Sequence, residues 1–160
     1  MFCRNSVHWL YRLEQSYSWN SGHGIPEDLV FRDKTGAVRL VVERDGRITV
    51  TRGYAWDGCT PKFCIFDILI GVPDGVVHAG TGRPKTYYAS LIHDVLYQFL
   101  SDGLPLRRVH ADRFFLRLME ESEFVPRWIY WMVVRLFGGL FRRVARRVRK
   151  TRGTRQAISY

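Results

Sequence analysis

Apolar and polar residues alternate along AVRLVVERDGRITVT, residues 37 to 51, and the alternation is interrupted once, at Asp45-Gly46. Alternation with many β-branched side chains is the signature of a half-buried strand, and Asp-Gly is a favoured two-residue hairpin turn. The pattern therefore predicts two paired strands, Ala37 to Arg44 and Arg47 to Thr51. From Thr86 the period lengthens to that of a helix: Tyr88, Leu91, Ile92, Val95, Leu96 and Phe99 share one broad face, and Ser101-Asp102-Gly103 ends it. A second helix is predicted from about Pro105, a residue suited to a first turn, to the acidic cluster Glu120, Glu121, Glu123. Its inward side carries Val109, Asp112, Phe115, Leu116 and Met119. Pro126 opens a third, PRWIYWMVVRLFGGLFRRVARRVRK, apolar from Trp128 to Phe141 except for Arg135 and two glycines. That apolar run is shorter than the ~20 residues a bilayer crossing needs.

Residues 1–28 show no clean periodicity, and SWNSGHGIPED is turn chemistry, so they are expected to form a lead-in arm. GYAWDGCTPKF and GVPDGVVHAGTGRPK read as long loops, which in a small domain usually carry function or move. The expected architecture is α+β: a β-hairpin and long loops packed on two to three helices over residues 29–141. A basic extension follows at 142–160, without order beyond Thr151.

Composition adds two constraints. With 160 residues, 46% of them hydrophobic and 25% charged, the chain is the size and kind of a single globular domain. Its formal charge of +10 is confined to one end: residues 1–123 hold equal numbers of basic and acidic side chains, and everything after Glu123 is free of acids. Cys3, Cys59 and Cys64 form neither a zinc-type pair nor a disulfide framework. The opening MFCRNSVHWLYRLEQ lacks the apolar run of a signal peptide, so a reducing cytosol is the expected compartment.

The chemistry worth noting lies in ASLIHDVLYQFL, residues 89 to 100. His93 shares a helical face with Tyr97, while Asp94 is turned about 100° from His93. Asp112 falls on the inward side of the second helix, where an ionised carboxylate costs several kcal/mol unless it is paired. If the two helices form a hairpin, His93 is its nearest partner. An imidazole held by a buried carboxylate at one nitrogen keeps the other for a proton from water, which is how a general base is built. The same residues equally suit a polar core network with no catalytic role. Trp56-Asp57-Gly58-Cys59-Thr60-Pro61 is open in the same way: a tight turn anchored by Trp56, or a loop whose carbonyls face calcium with Asp57 or Asp94 adding a carboxylate. A metal phosphohydrolase built on His78, His93, Asp94 and Asp112 is a third possibility resting on the His-Asp doublet alone. No phosphate-binding glycine loop, nucleophile elbow or His-Glu-x-x-His is present.

Four segments in order, ITVTRGYAWDGCTP, YYASLIHDVLYQF, HADRFFLRLM and WIYWMVVRLFGG, resemble an uncharacterised domain family of bacteriophages and prophages. That family is marked by Gly-Phe-x-x-Asp-x-Ala-Ser-x-Pro, His-Asp-x-Leu-Tyr and Ala-Asp-x-x-Phe. The matching residues are Gly53-Tyr54 with Asp57, Cys59 and Thr60; His93, Asp94, Leu96 and Tyr97; and Ala111, Asp112 and Phe115. The likeness runs from about Ile48 to Gly139. More distantly, the segments are similar to the small secreted phospholipases A₂. That resemblance implies His93 as activator of water, Asp112 as its orienting acid with Tyr97 beside it, and Asp94 with Asp57 and Gly58 as a calcium site. The half-cystine that precedes the His-Asp pair in those enzymes is here Leu91 or Ile92.

The third helix implies partners. Trp128 and Trp131 suit headgroup depth, and Arg142, Arg143, Arg146 and Arg147 suit an anionic membrane surface. Non-specific contact with nucleic acid through the same arginines is the alternative, and other phage proteins are further partners. The sequence thus points to a phage or prophage protein in the host cytoplasm, at the inner-membrane periphery or in the virion. Either it is a lipid-ester hydrolase with a His/Asp site and calcium as cofactor, or it is a structural or accessory protein.

Overall fold

The Asp45-Gly46 turn joins strands β4 (Val38–Val42) and β5 (Arg47–Val50), which pair antiparallel with Leu40 opposite Val50 and Val42 opposite Ile48. Leu40, Val42, Ile48 and Val50 all face inward with at most 1% exposure, the half-buried alternation that the sequence predicts. Gly46 has φ +87°, and a Cβ there would stand 2.7 Å from the backbone nitrogen of His23, so the turn needs glycine for both conformation and space.

This hairpin is the middle of a larger sheet in the computed structural model, which describes residues 11–56, 58, 63–65, 68–70, 77, 79–80, 82–135 and 156–157. Strand β2 (Tyr17–Asn20) pairs with β5, and β3 (Leu29–Arg32) pairs with β4. A two-residue strand, β9 (Gln156–Ala157), lies on β3, giving the order β2-β5-β4-β3-β9. The C-terminal stretch expected to lack order thus contributes an edge pairing. Two smaller antiparallel pairs join β1 (Tyr11–Arg12) to β6 (Ala55–Trp56) and β7 (Phe63–Ile65) to β8 (Ile68–Ile70).

Residues 11–28 are therefore more than the expected arm. Leu13, Trp19 and Ile25 are buried, and Trp19 meets Phe114 edge to face at 5.5 Å and donates from Nε1 to Glu121 at 2.9 Å. The four residues YSWN bury only one side chain, too short a pattern for periodicity to reveal.

Helix α1 (Tyr87–Phe99) buries nine of its 13 residues, which marks it as the central element. One side meets the sheet, with Phe31 and Phe99 centroids 5.2 Å apart, and another meets α2 (Arg108–Glu121). Pro105 lies ahead of α2 rather than in its first turn: Arg107 is the extended residue before the helix, and its amide donates to His110 Nδ1 at 3.2 Å. Phe124, whose amide bonds to Met119 O, closes the end of α2, and α3 follows over 127–135. The whole is an α+β fold, a sheet covered by a helical hairpin, as the sequence implies.

Candidate active site

The helical hairpin determines what meets Asp112. The inward face of α2 is Ala111, Asp112, Phe114, Phe115, Leu118 and Met119, slightly rotated from the expected stripe but still centred on the carboxylate. Asp112 is fully buried, so its charge must be answered locally. At Oδ1 it faces His93 Nε2 at 3.3 Å and accepts from the Tyr97 hydroxyl at 2.5 Å. At Oδ2 it accepts from Arg135 Nη1 at 3.1 Å, with Arg108 Nε 3.6 Å away. Arg108 also donates to the Tyr97 oxygen at 2.6 Å and to the carbonyls of Val134 and Arg135, tying all three helices to one acid.

Electrostatics follow from this crowding. Burial pushes the Asp112 carboxyl up, but the hydrogen bonds from His93 and Tyr97, the His93 charge and the Arg135 bond prevail and hold it below the ordinary 3.8. Burial likewise pushes His93 down, and Asp112 with Asp94 outweighs it, leaving the imidazole above its usual 6.5. Tyr97 is raised strongly, by burial first and then by its bond to Asp112.

The second ring nitrogen of His93 does not simply open to water, as the sequence reading expects. Nδ1 faces Asp94 Oδ1 at 3.7 Å, and the Asp94 side chain is 35% exposed. The two carboxylates thus flank the ring differently, one deeply buried and one at the rim. Adjacent positions on a helix suffice for this because the Asp94 side chain bends back toward the ring.

Asp94 also lies beside the loop that follows β6. Trp56 Nε1 donates to Ser90 Oγ at 3.1 Å, and the Tyr54 hydroxyl donates to Gln98 Oε1 at 3.1 Å. Ser90, Asp94 and Gln98 are spaced four apart and form one stripe of α1, so β6 is fastened on both sides of Asp94. Gly58, two residues beyond Trp56, has φ +76°. Carboxylate and carbonyl oxygens are the donor set that calcium takes, and of the residues the sequence offers for it, Asp94 and Gly58 lie among the described ones. Among the described residues no group of three or more His, Cys, Asp or Glu side chains is placed to hold a metal.

The structure brings together His93, Tyr97 and Asp112, with Asp94 beside them. Asp57, His78, Arg142, Arg143, Arg146 and Arg147 lie outside the described residues. Trp128 is exposed on α3, whereas Trp131 packs partly against the core, their rings 5.9 Å apart. Sequence reasoning missed Arg108 and Arg135. The first was signalled by its four-residue spacing to Asp112, the second by being the one charge inside an apolar run. Among the described residues, no helix is long and apolar enough to cross a membrane.

Comparison with known proteins returns no match among curated proteins or solved structures. A family model does match residues 27–134, a span from the lead into β3 through both hairpin helices to the carbonyl of Val134 that Arg108 binds. With most of its length matched, and every described member of the His93–Asp112 cluster except Arg135 inside the match, the chain belongs to the family described as "Protein of unknown function (DUF1353)".

Proposed function

We propose that the protein is a hydrolase of phospholipid esters, phospholipase A₂-like, with His93 as general base. The observation that carries this is the two-sided environment of the imidazole: Nε2 is held by a buried carboxylate that Tyr97 also engages, and Nδ1 faces the half-open side occupied by Asp94. In the reaction, a water O–H gives its proton to Nδ1 while its oxygen forms a bond to the ester carbonyl carbon. The imidazolium then returns the proton to the departing alcohol as the C–O bond breaks. Asp112 fixes the tautomer and stabilises the charged ring, and Tyr97 with Arg135 keeps Asp112 ionised. Asp94, with carbonyls of the loop at Asp57 and Gly58, would hold calcium, whose chemistry is to polarise the ester carbonyl. The motif resemblance supports a phage or prophage setting, with action at the inner membrane of the host or within the virion.

A second reading rests on a specific observation: Asp112 draws on all three helices through His93, Tyr97, Arg108 and Arg135, which is what a polar network fixing helix positions requires. On that reading the protein is structural or accessory.

One experiment separates the two. Fatty-acid release from phosphatidylglycerol vesicles is measured with calcium and with chelator, for the native chain and for His93→Gln, alongside thermal melts. The hydrolase predicts calcium-dependent release lost by at least a hundredfold in the variant while its melt stays within a few degrees. No release by the native chain, with a large drop in melting temperature for the variant, gives the site to the scaffold.

A further inference from the structure

α3 has two apolar stripes, and the fold uses only one. Tyr130 is buried against Phe124, and Trp131 and Val134 pack partly on the core. On the other side Val125, just ahead of the helix, is 83% exposed, followed by Trp128 at 53%, Ile129 at 60% and Met132 at 55%. Positions 128, 129 and 132 form one helical stripe, which Val125 extends from the turn before the helix. Single exposed apolar residues are ordinary, but a row of four that includes a tryptophan marks an interaction surface.

We propose that this row is a docking face for a bilayer rich in anionic phospholipid, on which α3 lies in the plane of the interface. The choice of occupant follows from charge. From Val125 onward the sequence holds ten basic side chains and no acid, so the row opens a segment that favours a negative surface throughout. The acidic residue facing this helix from α2, Glu120, is answered by Arg127 at 3.6 Å. A tryptophan beside aliphatic side chains, with arginines at the flanks, is the composition of a helix seated at headgroup depth. The sequence reading places Trp128 and Trp131 there together. The structure instead puts Trp131 toward the core and gives its place to Val125, Ile129 and Met132.

The face also bears on the site, and this part rests on the hydrolase reading. Arg135 lies seven residues beyond Trp128, about 10 Å along the helix, and its guanidinium reaches Asp112 at 3.1 Å. A bilayer seated on the row therefore lies within two helical turns of the residue that secures the acid behind His93.

The test uses the full chain carrying His93→Gln, so that binding is read without hydrolysis. Co-sedimentation with vesicles of phosphatidylglycerol and phosphatidylcholine is compared with vesicles of phosphatidylcholine alone, with and without Trp128→Ser, Ile129→Ser and Met132→Ser together. The expected result is preference for the anionic vesicles, weakened at least tenfold by the triple substitution with the melting temperature unchanged or higher. Unchanged vesicle affinity in the triple variant overturns the proposal. So does release of the protein from vesicles by duplex DNA in equal measure for both chains, or conversion of a dimer to a monomer by the triple substitution. Binding that survives without any hydrolysis by the native chain removes the hydrolase and keeps the face. Hydrolysis of a dispersed short-chain lipid without vesicle binding does the reverse.

Discussion

Replacing Asp112 with asparagine keeps the shape of the side chain and removes its charge, which makes it the sharpest probe of the network. The carboxylate takes donors at both oxygens: His93 and Tyr97 at Oδ1, and Arg135 at Oδ2 with Arg108 close by. Asparagine offers one acceptor oxygen and, in place of the other, an NH₂ group that is itself a donor. Whichever way the amide turns, one side of the site is left donor against donor in a position with no solvent access. Removing one partner of a buried ion pair costs roughly 3–5 kcal/mol. Here the arginine side chains are 22% and 43% exposed and can regain water, so the cost falls to about 2–3 kcal/mol, that of leaving buried donors unsatisfied. For a domain of this size that corresponds to a drop in melting temperature of roughly 4–12 °C. Calorimetry at pH 7 measures it directly. The pH dependence supplies a second check: the folded pKa of Asp112 lies below its ordinary 3.8, so its stabilisation is present above that value and is lost as pH falls through the folded pKa. The native and variant melting curves must therefore converge under strong acid. A variant that melts within 2 °C of the native chain at pH 7 would refute the network, since it would mean that the charge at Oδ2 holds nothing.

Other consequences follow from the same geometry. The folded pKa of His93 lies above 6.5, so its stabilisation is full below 6.5 and declines as pH rises through the folded value; the stability gap between native chain and His93→Gln should narrow on that alkaline side, and a gap that widens there contradicts the paired imidazolium. By the same shift, hydrolysis should increase with pH from 6.5 upward as the neutral base forms, read from fatty-acid release in calcium. Trp56→Phe removes the bond to Ser90 that ties β6 to α1; it should cost about 1 kcal/mol, read by thermal melts, and an unchanged melt would mean that this bond holds nothing. Gly46→Ala places a methyl carbon 2.7 Å from the His23 amide at φ +87°; a loss of more than 1 kcal/mol in chemical denaturation is expected, and a neutral outcome would mean that the hairpin turn shifts freely.

The parts of the fold that could be read from sequence are those with a period and a stop. The hairpin has both in its alternation and Asp45-Gly46, and α1 has both in its apolar face and Ser101-Asp102-Gly103. Strands β2 and β3 have neither: each is four residues long, and what makes them strands is pairing, β2 with β5 some thirty residues on and β3 with β4 across a short turn. An edge strand such as β2 is specified by tertiary contact, which a window of neighbouring residues does not contain. β1 is a further case, two residues whose role is to place Tyr11 on Trp56 and Tyr87.

The site divides along the same line. An acid on an inward helical face has to find a partner, and that requirement alone leads from Asp112 to His93 before any coordinates are known. Solvation arguments stop at one partner, however, because a single imidazole is enough to answer one carboxylate. Arg135 enters only because α3 turns back across the hairpin at Phe124, and its carbonyl and that of Val134 take the second side of Arg108. The consequence bears on function. An imidazole facing a singly paired acid could be explained by burial alone, whereas an acid that also meets two arginines and a tyrosine is fixed in direction by groups other than the ring. On the hydrolase reading proposed above, a base that must bind and release a proton in each turnover needs its orienting carboxylate to stay anionic throughout, and Arg135, bonded to Asp112 from α3, is the group placed to keep it so.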